Sequence, residues 1–187
     1  MKLHKTPLEG CFVLEPKVFT DLRGTFIETF IQKNFIELTG LDINFVQNNQ
    51  STSSYGVLRG LHLQMGDAGQ AKLVRVVKGE VLDVVVDLRL NSKTFGQHFK
   101  ITLSAINNKQ LFIPRGFAHG FVSLAEDSVF VYKCDNYYNP EAEAGIQFND
   151  ETLKIDWQLP THSLIVSEKD LALPSFKEFK ICLKKYL

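Results

Sequence analysis

The stretch that decides the fold runs from residue 71 to residue 88 and reads Ala71-Lys72-Leu73-Val74-Arg75-Val76-Val77-Lys78-Gly79-Glu80-Val81-Leu82-Asp83-Val84-Val85-Val86-Asp87-Leu88. It contains two β-branched runs, which predict two strands joined at Gly79 in a tight hairpin, where glycine supplies the positive φ that the turn needs. Further strand patterns follow closely, over residues 95–103, 109–113, 120–124 and 128–133. Such dense strand signals are typical of a sandwich or barrel rather than of a βαβ fold.

Outside this stretch the patterns predict more short strands and little helix. Apolar–polar alternation marks strands over residues 10–14, 25–30 and 43–47. A first helix is predicted over residues 31–38, ended by Gly40. A second is predicted near the C-terminus, where apolar residues recur at helical spacing; these are Phe176, Phe179, Cys182, Leu183 and Tyr186. We therefore expect an all-β fold with a few short peripheral helices, formed as one domain over residues 1–187, with 175–187 as a helical extension.

Charge and hydropathy exclude several classes of protein. The 187 residues carry 21 Lys and Arg against 21 Asp and Glu, a formal net charge of zero, which argues against a nucleic-acid partner. No apolar run approaches the roughly 18 residues of a membrane span, and the N-terminus lacks the apolar core of a signal peptide. The three scattered cysteines form no CxxC pair and predict free thiols in a cytoplasmic protein.

Three polar side chains stand out within otherwise apolar strand patterns, because burial of such groups is unfavourable without compensation. His62 lies in a run in which strict alternation would place Val57, Arg59, Leu61 and Leu63 on one side and Leu58, His62 and Gln64 on the other. Lys72 opens the next strand run, and His119 follows a Pro–Gly turn. Each has an ordinary structural alternative. His62 could be a hydrogen-bonded histidine at a sheet edge, Lys72 an edge-strand lysine that discourages aggregation, and His119 a histidine that simply follows a tight turn.

Two of these segments resemble the cupin motifs. Pro114-Arg115-Gly116-Phe117-Ala118-His119 resembles the second motif, whose histidine is often a metal ligand. His62-Leu63-Gln64, Lys72 and Gly79 fall where the first motif has His-x-His, a glutamate and a glycine. An ammonium cannot ligate a cation, so Lys72 argues against a metal. The resemblance implies a cupin-type jelly-roll β-sandwich or barrel whose metal site has been converted to another use.

A longer series of motifs resembles one particular family, the dTDP-4-dehydrorhamnose 3,5-epimerases. It includes Phe19-Thr20-Asp21-Leu22-Arg23-Gly24-Thr25-Phe26-Ile27-Glu28 and Gly56-Val57-Leu58-Arg59-Gly60-Leu61-His62. The other matching segments, in order, are residues 47–51, 70–74, 86–89, 113–121, 137–140, 148–150 and 164–170. The resemblance covers about residues 8–174, so it does not depend on one short motif.

The resemblance implies an isomerase of activated L-rhamnose and cell-surface polysaccharide synthesis. Such an enzyme inverts C3 and C5 of a dTDP-linked 4-keto-6-deoxy sugar by moving protons next to the ketone. It implies a homodimer without metal or redox cofactor, and no nucleic-acid or membrane partner. Three alternatives stay open: an epimerase that inverts C3 alone, a metal-dependent cupin oxygenase or isomerase, and a non-catalytic nucleotide-sugar-binding module.

The same resemblance assigns roles to individual residues. His62 is the base, Asp170 holds its imidazole, Lys72 stabilises the enolate oxygen, and Tyr132 returns a proton from the other face. Without the family match, Tyr132 would be interpreted as a packed strand tyrosine. Tyr138 and Phe26 are candidates to stack on the thymine. The substrate-binding set implied by family position is Arg23, Phe26, Glu28, Gln47, Asn49, Arg59, His119, Tyr138, Glu143 and Lys169.

Overall fold

A computed structural model describes residues 1–183 and confirms the all-β class. Its three α-helices are α1 (Gln32–Thr39), α2 (Glu168–Leu171) and α3 (Phe176–Leu183). The strands are β1 (Lys2–Lys5), β2 (Phe12–Glu15), β3 (Val18–Asp21), β4 (Gly24–Ile27), β5 (Gln47–Ser53), β6 (Val57–Gln64), β7 (Lys72–Lys78), β8 (Glu80–Asp87), β9 (His98–Ser104), β10 (Gln110–Ile113), β11 (Phe117–Ser123), β12 (Ser128–Cys134), β13 (Glu143–Gly145) and β14 (Ile165–Val166).

Most strands form two mainly antiparallel sheets. The first has the order β1-β2-β10-β7-β12-β5, and the second has the order β13-β6-β11-β8-β9, with β14 added parallel to β6. The hairpin β3–β4 forms a separate two-stranded sheet. One buried apolar cluster draws side chains from both large sheets, including Val74 and Phe130 from the first and Val85 and Phe121 from the second. The two sheets therefore pack face to face, as the jelly-roll prediction requires.

Each sheet also buries its outer face. Outside the first sheet, α1 packs Phe35 against Leu73 and Phe112. Outside the second sheet, the C-terminal segment packs Trp157 and Phe179 against the other face of β8 and β11. Burial on both faces explains why β8 is an almost continuous run of valines instead of an alternating pattern.

The predicted hairpin at Gly79 is wrong. β7 and β8 follow one another through Gly79, which has φ +77°, but they lie in different sheets and do not pair. Val74 and Val81 instead meet in the core between the sheets. Because the neighbouring strands β10, β12, β9 and β11 satisfy the backbone hydrogen bonds of both runs, neither run needs the other as a partner.

Both predicted helices are present within the described residues. α1 ends at Gly40, whose φ is +72° and whose N–H donates to the Ile36 carbonyl, as in a left-handed C-terminal cap. α3 buries Phe179, and its predicted continuation to Tyr186 lies outside the described residues. The short helix α2 has no counterpart in the sequence prediction; Ser167 caps it by accepting from the Asp170 N–H. Within residues 1–183, no helix is long and apolar enough to cross a membrane.

The cysteines are free thiols, as predicted. Cys11 and Cys134 are buried, whereas Cys182 is exposed on α3. Burial raises the pKa of Cys134 to about 11, so this thiol is neutral at neutral pH.

Candidate active site

Two adjoining cavities open inside the sandwich. The larger has a volume of about 540 Å³, and the smaller about 420 Å³. Gln50, His62, Lys72 and Tyr132 line both of them. The cavities therefore bring together the three residues predicted for proton transfer and enolate stabilisation.

His62 belongs to a buried histidine–carboxylate pair. Its Nε2 donates to Asp170 Oδ1 over 2.8 Å, and the Gly60 N–H donates to the other carboxylate oxygen over 3.1 Å. Burial alone would raise the pKa of Asp170, but the hydrogen bonds from His62 and Gly60 outweigh it, so the pKa lies below its ordinary value. Asp170 is thus a carboxylate at neutral pH, and it leaves Nδ1 of His62 as the acceptor nitrogen.

A local irregularity at Gly60 turns His62 into the cavity. Leu58, Leu61 and Leu63 share one buried cluster, whereas Arg59 and His62 line the larger cavity. The strict alternation predicted for this run is therefore wrong, because its phase changes at Gly60. Gly60 has φ +130°, and a Cβ there would lie 2.4 Å from the Cα of Gly120. The backbones of Gly60 and Gly120 can approach this closely because neither residue has a side chain. The approach coincides with a shift in the β6–β11 register.

Lys72 points into the cavity from the opposite sheet. It lies two residues before Val74 on β7, on the same inward face. Burial lowers the pKa of its ammonium group. Nζ lies 5.9 Å from the centre of the Tyr132 ring, and within residues 1–183 no carboxylate is within 4.0 Å of it. The prediction of an inward-facing lysine, rather than an edge-strand lysine, is therefore correct.

Tyr132 lies on β12, beside Lys72 of the neighbouring strand β7. Its ring packs against the core between the sheets. Burial raises the pKa of its phenol, so the protonated form is present at neutral pH. His62 comes from the second sheet and Tyr132 from the first. The cavity therefore has a nitrogen base on one wall and a phenolic acid on the facing wall.

A polar cluster lies at the smaller cavity. Glu143 Oε2 accepts hydrogen bonds from Lys169 Nζ, over 2.7 Å, and from the Tyr138 hydroxyl. Burial would raise the pKa of Glu143, but these two hydrogen bonds more than offset it and lower the pKa. The ring of Tyr138 is half-exposed at this cavity.

Four more predicted binding residues line the two cavities. Gln47 Nε2 donates to Asn49 Oδ1 over 3.1 Å, and both residues line the smaller cavity. Arg59 lines the larger cavity and donates from Nε to Ser53 Oγ. His119 lines it as well, opposite His62 in the register of β6 and β11.

Three predicted binding residues lie elsewhere. Arg23, Phe26 and Glu28 are exposed on the hairpin β3–β4 or directly after it, and they line neither cavity. Arg23 pairs with Asp21 on the hairpin itself. One copy of the chain therefore does not bring these three residues to His62, and their binding role stays a prediction.

Sequence reasoning missed Asp83, a fully buried carboxylate whose Oδ2 accepts from His119 Nε2 over 2.9 Å. The signal was present in the valine-rich run of β8, where Asp83 is the single charged residue between Val81 and Val85 on the inward face.

The described part of the chain contains no group of three or more His, Cys, Asp or Glu side chains placed to hold a metal ion.

Comparison with known proteins identifies the family. Residues 5–178 match the family model described as dTDP-4-dehydrorhamnose 3,5-epimerase. The chain belongs to this epimerase family. The resemblance noted in the sequence is thereby confirmed, together with the cupin-type fold of the family.

Relatives of this epimerase family match nearly the whole chain. The dTDP-4-dehydrorhamnose 3,5-epimerase of Salmonella typhimurium is 51% identical over 93% of this chain and 94% of its own. A crystal structure of the enzyme from Elizabethkingia anophelis is 58% identical, with a TM-score of 0.92 over 95% of this chain and 97% of that one. A 3,5-epimerase from Legionella pneumophila, crystallised with dTDP-4-keto-L-rhamnose, is 44% identical, with a TM-score of 0.92 over 97% and 96%.

Proposed function

We propose that this chain is a dTDP-4-dehydrorhamnose 3,5-epimerase. Its substrate is dTDP-4-dehydro-6-deoxy-D-glucose, and inversion at C3 and C5 yields dTDP-4-dehydro-L-rhamnose. The observation that carries the proposal is the placement of His62 and Tyr132 on facing sheets, with Lys72 beside Tyr132, around one cavity. Inversion of a carbon centre needs a base on one face and an acid on the other, and this arrangement provides both.

Proton removal is assigned to His62. The C–H next to a ketone becomes acidic because the resulting carbanion is delocalised onto the carbonyl oxygen as an enolate. Asp170 keeps the His62 proton on Nε2, so Nδ1 is free to take the proton from carbon. Asp170 also stabilises the imidazolium that forms, because its carboxylate is buried and already hydrogen-bonded.

Stabilisation of the enolate is assigned to Lys72. A buried ammonium interacts strongly with a developing negative charge, since little solvent screens it. The group is preorganised on a central strand, so it does not need to reorient during the reaction.

Return of the proton is assigned to Tyr132. Its phenol stays protonated at neutral pH and approaches from the wall opposite His62. Delivery of the proton from that wall inverts the centre, whereas return by His62 would restore the starting configuration. After this inversion His62 releases its proton to solvent and Tyr132 regains one from solvent, and repetition of the cycle at the second carbon next to the ketone inverts the other centre.

Recognition of the nucleotide is assigned to the side chains around the smaller cavity and Arg59. Tyr138 offers a half-exposed ring for stacking on thymine, and Lys169 and Arg59 supply the positive charge that a diphosphate needs. Gln47, Asn49, Glu143 and His119 supply polar contacts. The nucleotide base would thus lie at the opening, and the sugar inside the sandwich.

The proposal includes a homodimer in which the hairpin β3–β4 completes the site of a second copy. This hairpin exposes Val18, Phe19, Leu22 and Phe26, an apolar surface that one copy of the chain leaves open. Docking of that surface would carry Arg23, Phe26 and Glu28 to a neighbouring cavity. A single domain over residues 1–187, no cofactor and a cytoplasmic location belong to the same proposal.

Proton NMR of the purified protein with dTDP-4-keto-6-deoxyglucose in heavy water tests the function. Deuterium at both C3 and C5 of the sugar would support the 3,5-epimerase. Deuterium at C3 alone would indicate an epimerase with one target centre. Binding of the nucleotide sugar without any label would contradict catalysis and indicate a binding module.

A further inference from the structure

Asp83 is a carboxylate in an unusual position. It lies on the inward face of β8, between Val81 and Val85, in the apolar core that joins the two sheets. Its exposure is 0%, and its Oδ1 has no hydrogen-bond partner among residues 1–183. A buried carboxylate is unfavourable unless a charge or hydrogen bond compensates it, so a neutral side chain would fill this position more easily.

The one hydrogen bond that Asp83 receives defines the orientation of His119. A carboxylate can only accept, so His119 Nε2 carries the proton over the 2.9 Å contact. Nδ1 of His119 is therefore its acceptor nitrogen, in the cavity that His119 lines. His62 and Asp170 form the same arrangement on the neighbouring strand, and the two histidines are register partners. The cavity thus has two parallel histidine–carboxylate pairs.

Asp83 also supplies negative charge for Lys72. Strand alternation places both side chains on inward faces of the two facing sheets, Lys72 on the same face of β7 as Val74 and Asp83 on the same face of β8 as Val81 and Val85. Cys134 is the neighbour of Lys72 in the register of β7 and β12, but its thiol is neutral at neutral pH. Glu143 already pairs with Lys169, whereas no Lys or Arg of the described chain lies within 4.0 Å of Asp83. Asp83 and Glu143 are the two carboxylates whose charges act on the Lys72 ammonium, and of these only Asp83 has no Lys or Arg partner within residues 1–183, so it is the one available to that buried group.

We propose that Asp83 is a positioning residue of the epimerase reaction, which orients His119 through Nε2 and supplies the counter-charge of the Lys72 ammonium. This inference rests on the proposed function, because Lys72 and His119 contact a nucleotide-sugar substrate only if the chain is an epimerase. Asp83 touches no substrate itself. Its effect reaches the reaction through two side chains that do.

The first test uses the unmodified protein and needs no substrate. Long-range ¹H–¹⁵N spectra of ¹⁵N-histidine-labelled protein report which ring nitrogen carries the proton, and His119→Gln assigns the signal. We expect a proton on Nε2 of His119 and none on Nδ1 at neutral pH. A proton on Nδ1 with a bare Nε2 would overturn the orienting role.

The second test compares Asp83→Asn with Asp87→Asn. Both replace a fully buried carboxylate of β8 by an amide of the same shape, but Asp87 pairs with Arg89 away from the cavities. Asp83→Asn should lower kcat on the order of 10–100-fold, by analogy with loss of the carboxylate behind a metal-ligating histidine. Asp87→Asn should leave kcat unchanged in the fraction that folds.

The pH profile separates positioning from simple packing. Without the Asp83 charge, the Lys72 ammonium loses its proton at lower pH, so the high-pH decline of kcat should move down by about one pH unit. Asp83→Asn leaves the other titratable and charged groups around Lys72 unchanged. These are Arg59 and His62 from β6, His119 from β11, Tyr132 and Cys134 from β12, Tyr138 beyond β12, Glu143 from β13 and Asp170 from α2. An unshifted profile in Asp83→Asn would overturn the counter-charge role.

Failure of the inference and failure of the proposed function give different results. If the unmodified protein introduces no deuterium into the sugar, the function is wrong, and the NMR spectrum of His119 still decides the orienting role. If the unmodified protein labels C3 and C5 and Asp83→Asn matches it in kcat and in pH profile, the inference is wrong while the function stands.

Discussion

At the scale of single residues, the proposed mechanism divides the reaction into proton removal by His62 and proton return by Tyr132. Tyr132→Phe removes the acid and leaves the base, so exchange of the sugar proton with solvent should persist while formation of inverted product falls. Parallel NMR measurements of deuterium uptake and product in heavy water check this. Tyr137→Phe, at an exposed tyrosine outside both cavities, is the control and should behave like the unmodified protein.

Equal loss of exchange and product in Tyr132→Phe would remove Tyr132 from the acid role. His62→Ala should instead abolish both together, since no enolate forms without the base. Near-normal exchange in His62→Ala would contradict its assignment.

In the proposed mechanism, the charge of Lys72 stabilises the enolate. Lys72→Met keeps the length of the side chain and removes the charge, so kcat should fall by about 10²–10³-fold, as for loss of one oxyanion donor. Lys78→Met, on the exposed end of the same strand, removes a surface pair with Asp127 and should leave kcat unchanged. Steady-state kinetics of both variants decide the point, and a normal kcat in Lys72→Met would contradict enolate stabilisation.

At the scale of secondary-structure elements, the bend of β6 at Gly60 places His62. Gly60→Ala combines an unfavourable φ of +130° with a Cβ that would lie 2.4 Å from the Gly120 Cα. Gly24→Ala is a matched control, because Gly24 has φ +123° and no atom within 4 Å of the new Cβ. Both variants bear the backbone strain of about 1–3 kcal/mol. Only Gly60→Ala adds a steric cost of roughly another 1–3 kcal/mol.

Urea unfolding of the two glycine variants measures this difference. We expect a clearly lower free energy of unfolding for Gly60→Ala than for Gly24→Ala. Equal values would mean that β6 and β11 separate easily, and that the close approach does not fix His62.

At the scale of the whole molecule, the exposed hairpin predicts association. Leu22 is fully exposed at the tip of β3–β4, and Ile106 is 91% exposed in the turn after β9. Leu22→Asp should shift the protein from dimer towards monomer in sedimentation experiments, because a charge would then enter the proposed interface. Ile106→Asp should leave the distribution unchanged. A monomeric unmodified protein would contradict the dimer.

Much of the fold was predictable, because the residues that form it have local patterns. The valine-rich strands, α1 and its Gly40 cap were visible as periodicity and turn residues. The pairing of the strands was not predictable, as Gly79 shows. The same turn signal occurs in a hairpin and in a connection between two sheets, and the surrounding strands determine which of the two forms. Local patterns therefore predict elements better than they predict partners.

The candidate site was predictable where the family motif covers it and much less so otherwise. His62, Lys72, Tyr132 and Asp170 converge as expected. Asp83 was not predicted as a site residue because its role depends on a hydrogen bond to His119, which is 36 residues away in the sequence. Arg23, Phe26 and Glu28 match the motif but line neither cavity of their own chain, and a motif alone does not state where in the fold its residues lie.

The pairing of His62 with Asp170 joins residues 108 positions apart. Asp170 reaches His62 because β14 adds to β6 and leads directly into α2. In synthesis from the N-terminus, every strand of the two large sheets precedes residue 170. The carboxylate that orients His62 is thus among the last parts of the site to be synthesised, and we expect a product shortened before α2 to retain the sandwich strands and to lack epimerase activity.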